Sequence, residues 1–207
     1  MKSKTMMTVQ KSIKILLVLS LLTALAGCRE VVVPRPRGHF RISLPSREYT
    51  GGDSLFARHN IPFSFEYPVY SIPGPDNSGV NRDGWYNVEF PRFMAKIYLT
   101  YKTIDNDLPE LIEQTYTMNI KNHITRADAI DEKLIRNDAE KIYGVLYNLK
   151  GNTATAVQFY VTDSTTNYLR GSLYFDAVPN ADSLAPVIDF LREDVVHLIE
   201  TLRWRNN

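Results

Sequence analysis

A single cysteine, Cys28, closes the tetrapeptide Leu25-Ala26-Gly27-Cys28. Ahead of it stand Lys2, Lys4, Lys11 and Lys14 and the apolar run Ile15 to Leu22. A basic n-region, a short apolar h-region and small residues before a break make a secretory signal rather than a fold element. The run falls short of the ~20 apolar residues an ordinary membrane-spanning helix needs. Small Ala26 and Gly27 suit a peptidase groove, and the Cys28 thiol is the nucleophile that lipid transfer requires. Cleavage between Gly27 and Cys28 with acylation of Cys28 is therefore the expected chemistry. The alternative is a plain secretory peptide whose cleavage site happens to adjoin a cysteine. Several acyl chains anchor stably where one is marginal, because each buried CH₂ contributes about 0.8 kcal/mol.

Other reactive constellations are sparse. His39, His59, His123 and His197 show no metal-ligand spacing, and ordinary surface or satisfied histidines are expected. The sequence contains no Gly-x-Ser-x-Gly elbow, phosphate loop or dinucleotide fingerprint. Asp105-Asn106-Asp107 lacks the downstream spacing of a calcium loop and reads better as a helix cap. Asp76-Asn77-Ser78-Gly79 and Asn81-Arg82-Asp83-Gly84 carry the Asx and Gly residues that turns require. No metal, cofactor or catalytic residue is expected, although two acids converging in a cleft would escape a sequence reading.

One cysteine excludes a disulfide framework and a multi-cysteine zinc site. A formal net charge of +1 argues against a nucleic-acid binder. That average hides an asymmetry. Five arginines face one glutamate between Cys28 and Arg47, and the remainder of the chain is acidic. Pro34 and Pro36 favour an extended spacer, so residues 28–38 form a basic tether that is either solvated or drawn to anionic headgroups.

The elements that position everything else follow from hydrophobic period. Phe40, Ile42 and Leu44 alternate as in a strand, as do Phe63, Phe65 and Tyr67. Residues 72–84 read as a long surface loop, and 85–90 with 93–102 as a hairpin around Pro91-Arg92. Asp107-Leu108-Pro109-Glu110 starts a helix, capped by Asp107, that runs toward Ile124. Strands are expected at 130–135, 142–149, 155–162 and 168–175, the last two joined by a turn at 163–167. Leu184, Val187, Ile188, Leu191, Val195, Leu198, Ile199 and Leu202 mark a long amphipathic helix, capped by Asp182 or Ser183. The order ββββαββββα with short turns predicts an α+β domain, a mainly antiparallel sheet with two helices, over residues 39–207. Residues 1–27 are the signal peptide.

All aromatic residues lie after Cys28, and several adjoin one another, as in Trp85-Tyr86 and Phe159-Tyr160. In a half-buried sheet one of each pair faces outward or lies under a helix. Trp85, Tyr86, Tyr98 and Tyr160 are the candidate interaction surface, given the enrichment of Tyr and Trp at interfaces.

Pro34 to Pro45, Phe63 to Pro68, Trp85 to Pro91, Gln158 to Ser164, Leu169 to Phe175, Pro179 to Val187 and Ile199 to Trp204 resemble the gliding-motility lipoprotein GldD family of Bacteroidetes. The resemblance covers nearly the whole mature chain. It implies a non-enzymatic outer-membrane lipoprotein supporting the gliding and type IX secretion machinery, where it binds or stabilises other envelope lipoproteins. Cys28 is the one residue that transfers, as the lipid site. Arg29 follows it, so the aspartate that favours inner-membrane retention is absent, and Arg29-Glu30 lacks the longer acidic run linked to surface export, so a domain facing the periplasm from the outer membrane is expected. At the level of fold the order is similar to the Mog1/PsbP-like α/β sandwich. The alternative reading is a periplasmic lipid- or glycan-binding module with an aromatic-lined pocket.

Overall fold

The computed structural model describes residues 42–51, 53–76, 83–118, 127–176 and 181–205. Leu25 to Cys28, His39, Phe40, His123 and Asn77 to Arg82 lie outside these ranges.

Seven strands form one antiparallel sheet. They are β4 (Ile72–Pro75), β5 (Trp85–Phe90), β6 (Ala95–Thr103), β7 (Ala129–Asn137), β8 (Ile142–Lys150), β9 (Thr155–Thr162) and β10 (Asn167–Phe175), in the order β4-β5-β6-β10-β9-β8-β7. Two short ladders flank the sheet: β1 (Tyr49–Gly51) with β3 (Glu66–Pro68), and β2 (Phe63–Ser64) with β11 (Arg203–Trp204). Three helices complete the α+β fold: α1 (Asp53–Arg58), α2 (Leu108–Tyr116) and α3 (Ala181–Thr201).

Strict alternation assigns each side chain to a face. Ala95, Ile97 and Leu99 of β6 point to the same side as Val88 and Phe90 of β5, Leu169 and Leu173 of β10, and Val157, Phe159 and Val161 of β9. All of these are buried. Onto this core face α3 lays Val187, Leu191, Val195 and Leu198, the stripe its 3.6-residue period predicts, and Leu202 just past its end continues it. Phe56, Ile61, Phe63 and Phe65 close the same cluster. Gly171 is required here, since a Cβ would collide with the Phe159 ring.

Several local expectations change. Residues 42–48 form no strand, and Ile42 and Leu44 are exposed, because no neighbouring strand offers them a ladder. The 63–67 strand is broken at Phe65, and its halves join the two flanking ladders instead of the sheet. The loop expected from Ile72 begins as strand β4. Its Pro73 and Pro75 are tolerated because β4 is a sheet edge, where a missing N–H costs no ladder bond. Asp107 stands at the N-cap of α2 but caps nothing with its side chain. Its Oδ1 accepts from the Asp105 N–H at 2.9 Å instead. Helix α3 begins at Ala181, so Asp182 and Ser183 lie within it rather than before it.

The β9–β10 turn is organised as its sequence demands. Asp163 Oδ1 accepts from the backbone N–H groups of Thr165, Thr166 and Asn167 at 2.8–2.9 Å, and Oδ2 from Asn167 Nδ2 at 2.7 Å. Burial pushes the Asp163 carboxyl up, but these four donors outweigh it and hold the group below the usual carboxylate range. A depressed folded-state pKa contributes stability above the unfolded value that is lost as pH falls through the folded one. Asp163→Ala should therefore cost about 1–3 kcal/mol at neutral pH. The deficit against wild type should shrink on acidification below pH ~4, as read from urea melts across pH.

Candidate functional site

The second face of the sheet carries a different chemistry. Register places Trp85, Thr100, Arg170, Tyr160, Val145 and Leu134 in one row across it. The next row is Asn87, Tyr98, Ser172, Gln158, Tyr147 and Glu132. Helix α2 covers part of this face. Its Thr115 Oγ1 lies 2.6 Å from Tyr168 Oη, and that hydroxyl donates to the Leu111 carbonyl at 3.2 Å. Burial raises the Tyr168 hydroxyl to about 12, so it stays protonated and a donor at neutral pH.

Toward β5 and β6 no element among the described residues covers the face. Tyr98 is 42% exposed and meets Tyr174 edge-on, with ring centroids 5.7 Å apart. Lys96 Nζ sits 5.6 Å from the Tyr98 ring and 2.8 Å from Glu89 Oε1. These four residues line a groove of about 510 Å³ with Met94 and Asp176. Trp85 is half-buried, and Tyr160 stacks on Tyr168 at 5.7 Å. Below them Gln158, fully buried, accepts at Oε1 from Arg170 (3.2 Å) and Ser172 (3.3 Å).

Three of the four sequence-predicted surface residues, Trp85, Tyr98 and Tyr160, thus share this face. Tyr86 is a correction: it points to the core side, edge-on to Phe63 at 5.3 Å, because adjacent strand residues alternate. His197 Nε2 pairs with Glu66 Oε2 at 2.8 Å, and His59 is exposed. Asp76 accepts from Asn87 Nδ2 of β5 at 3.0 Å. Among the described residues no group of three or more His, Cys, Asp or Glu is arranged to hold a metal ion.

A second constellation escaped the sequence reading. Asp194 of α3 is 2% exposed, yet it occupies a position on the apolar stripe between Leu191 and Leu198. Its Oδ1 accepts from Tyr49 Oη at 2.9 Å and its Oδ2 from Tyr70 Oη at 2.6 Å. Arg47 Nε lies 3.6 Å from Oδ1. The same guanidinium donates to the Phe190 carbonyl at 2.9 Å, pairs with Glu193 at 2.6 Å and lies over the Phe190 ring at 4.3 Å. Tyr49 also stacks on His197 at 3.6 Å. The segment carrying Arg47 and Tyr49 is thereby locked to the last helix. The one sequence signal was an acid at a core position of an otherwise apolar stripe.

Fold and face together define a small α+β domain that displays an aromatic sheet surface beside a fixed N-terminal arm. The chain belongs to the gliding motility lipoprotein GldD family, whose model matches residues 29–204. No curated protein matches the sequence. Among solved structures it is similar to the solution structure of cyanobacterial PsbP (CyanoP) from Synechocystis sp. PCC 6803. That likeness has 10% identity and a TM-score of 0.41, and covers 82% of this chain and 99% of that one.

Burial drives the Asp194 carboxyl above its usual value, while the tyrosine donors and Arg47 pull it back. A raised folded-state pKa means that the native state holds its proton longer, so this group's contribution falls as pH rises from the ordinary carboxylate range through the raised value. Removing one donor from the ionised carboxylate should cost about 1.5–3 kcal/mol. Tyr70→Phe is expected to lose this at neutral pH and less at pH ~4, where Asp194 takes its proton. Paired thermal melts at the two pH values check it.

Proposed function

We propose that the mature chain begins at a lipidated Cys28, is carried on the outer membrane facing the periplasm, and acts as a non-enzymatic accessory of the gliding and type IX secretion machinery. In that role it holds other envelope lipoproteins. The observation that carries the binding role is the open sheet face. Trp85, Tyr98, Tyr160 and Tyr174 come from four adjacent strands, and Tyr98 and Tyr174 stay accessible beside the Lys96–Glu89 pair. Aromatic side chains with a polar tip supply large contact area at low entropic cost, which is why they dominate binding hot spots. Membership of a gliding motility lipoprotein family supports the setting, and the Leu25-Ala26-Gly27-Cys28 tetrapeptide supports the anchor.

The second reading, a periplasmic lipid- or glycan-binding module, is favoured by one feature. The groove of about 510 Å³ pairs two tyrosine rings with a lysine and a glutamate, a combination suited to a sugar ring. A soluble oligosaccharide or lipid that protects Tyr98 and Tyr174 from modification at micromolar concentration would favour it.

Cys28→Ser should move the protein from the membrane to the soluble fraction, and its retention in membranes would sink the lipid assignment. Intact cells should protect the domain from added protease, whereas efficient shaving contradicts the periplasmic orientation. Crosslinking in cells with recovery through the C-terminus should capture an envelope protein, and Trp85→Ala with Tyr98→Ala should reduce its yield about tenfold or more. Equal recovery with the double variant would remove the aromatic face from the account.

A further inference from the structure

Strand β7 is the end of the sheet opposite β4, and among the described residues no strand pairs with its outer edge along its nine residues. Leu134, at mid-strand, is 82% exposed. An uncovered edge of this length is a template for another strand, and its charges determine which one. The ladder with β8 places Ile130, Glu132, Leu134 and Arg136 on the aromatic face, and Asp131, Lys133 and Ile135 on the side of α3.

Two copies meeting edge to edge about a two-fold axis normal to the sheet keep like faces together. Only registers that pair residues of equal parity then survive. Centring the axis on Glu132 opposes two glutamates, and centring it on Lys133 opposes two lysines. With Ile135 on the axis, Glu132 faces Asp138. Centring it on Leu134 sets the exposed leucine against its own symmetry mate and places Glu132 opposite Arg136 of the second copy, twice. Among the described residues Glu132 forms no salt bridge, and Arg136 pairs with Asp138 across an exposed turn, at 3.1 Å. The same register brings Lys133 opposite Ile135 of the second copy. There its aliphatic stem covers the mouth of a groove of about 490 Å³ between β7 and α3, walled by Ile135, Ile142, Leu146, Val196 and Ile199.

We propose that β7 is a self-association edge: two copies pair their β7 strands antiparallel with Leu134 on the two-fold axis, making one sheet of fourteen strands from two of seven. Of the registers centred on residues 132–135, this one alone pairs opposite charges twice within β7 and sets no like charges opposite one another, so the charges that prevent indiscriminate pairing also select this partner. A nine-residue ladder is a modest interface, and the dimer is expected to dissociate on dilution.

The test is sedimentation velocity of the full chain in detergent micelles over a concentration series. Wild type should show a reversible monomer–dimer equilibrium. Glu132→Arg and Arg136→Glu, each placing like charges opposite one another twice, should each weaken it about tenfold or more, and the double variant should recover to within about threefold of wild type. These side chains are exposed, and circular dichroism melts confirm that each variant is folded. In membranes, Leu134→Cys should give an oxidant-dependent covalent dimer where wild type gives none. A wild-type monomer at every concentration overturns the proposal. So does a dimer indifferent to the single changes, a double variant that fails to recover, or capture of a different protein on β7 in place of the second copy.

Discussion

A carboxylate removed from water must find partners, and Asp194 dictates where three distant parts of the chain go. Its two oxygens are taken by Tyr49 and Tyr70, and its charge is answered by Arg47. An isolated ionised carboxylate at that depth would cost several kcal/mol, so the hydroxyls and the guanidinium are a condition of folding α3 in this position. Tyr49 belongs to the arm, Tyr70 to the turn between β3 and β4, and Asp194 to the helix that roofs the core. The cluster thus joins residues 47–49 to the body of the domain. A force applied through the N-terminal arm would be delivered to α3 and, through its apolar stripe, to the whole core face.

That arrangement divides the labour between the two faces of the sheet. The core face is filled by α3 and by the aromatic group Phe56, Phe63 and Phe65, so its side chains are committed to stability. The opposite face receives only the short helix α2 near Tyr168 among the described residues, which leaves Tyr98, Tyr174 and Lys96 accessible. Polar contacts beneath them, with Gln158 Oε1 accepting from Arg170 and Ser172, tie β9 to β10 under that surface.

Periodic signals were legible in the sequence and non-local ones were not. The stripe from Leu184 to Leu202, the four strands after Ile130 and the Asp163 turn are local patterns, and the structure keeps them. Strand β4 was hidden because Pro73 and Pro75 signal a loop unless the strand is known to be an edge. Residues 42–44 alternate like a strand, but alternation creates no partner, and these residues lie exposed on the surface. Helix α1 is six residues long, too short for a periodic signature, and is defined by the burial of Phe56. Tyr86 was assigned with Trp85 because adjacency gives no information about which residue faces inward. The Asp194 cluster joins residues more than a hundred positions apart, so only the anomalous acid on an apolar stripe could have announced it.

The account rests on the arm being held by that carboxylate, and proteolysis at Arg47 reads this directly. In the folded wild-type chain trypsin should cut after Arg47 slowly, because its guanidinium is engaged with Phe190, Glu193 and Asp194. In an Asp194→Asn chain, isosteric but uncharged, cleavage at Arg47 should accelerate about tenfold or more while the fragment after it remains folded and resistant. Equal cleavage rates at Arg47 in the two chains, both folded, would contradict the claim that Asp194 locks the arm to the domain.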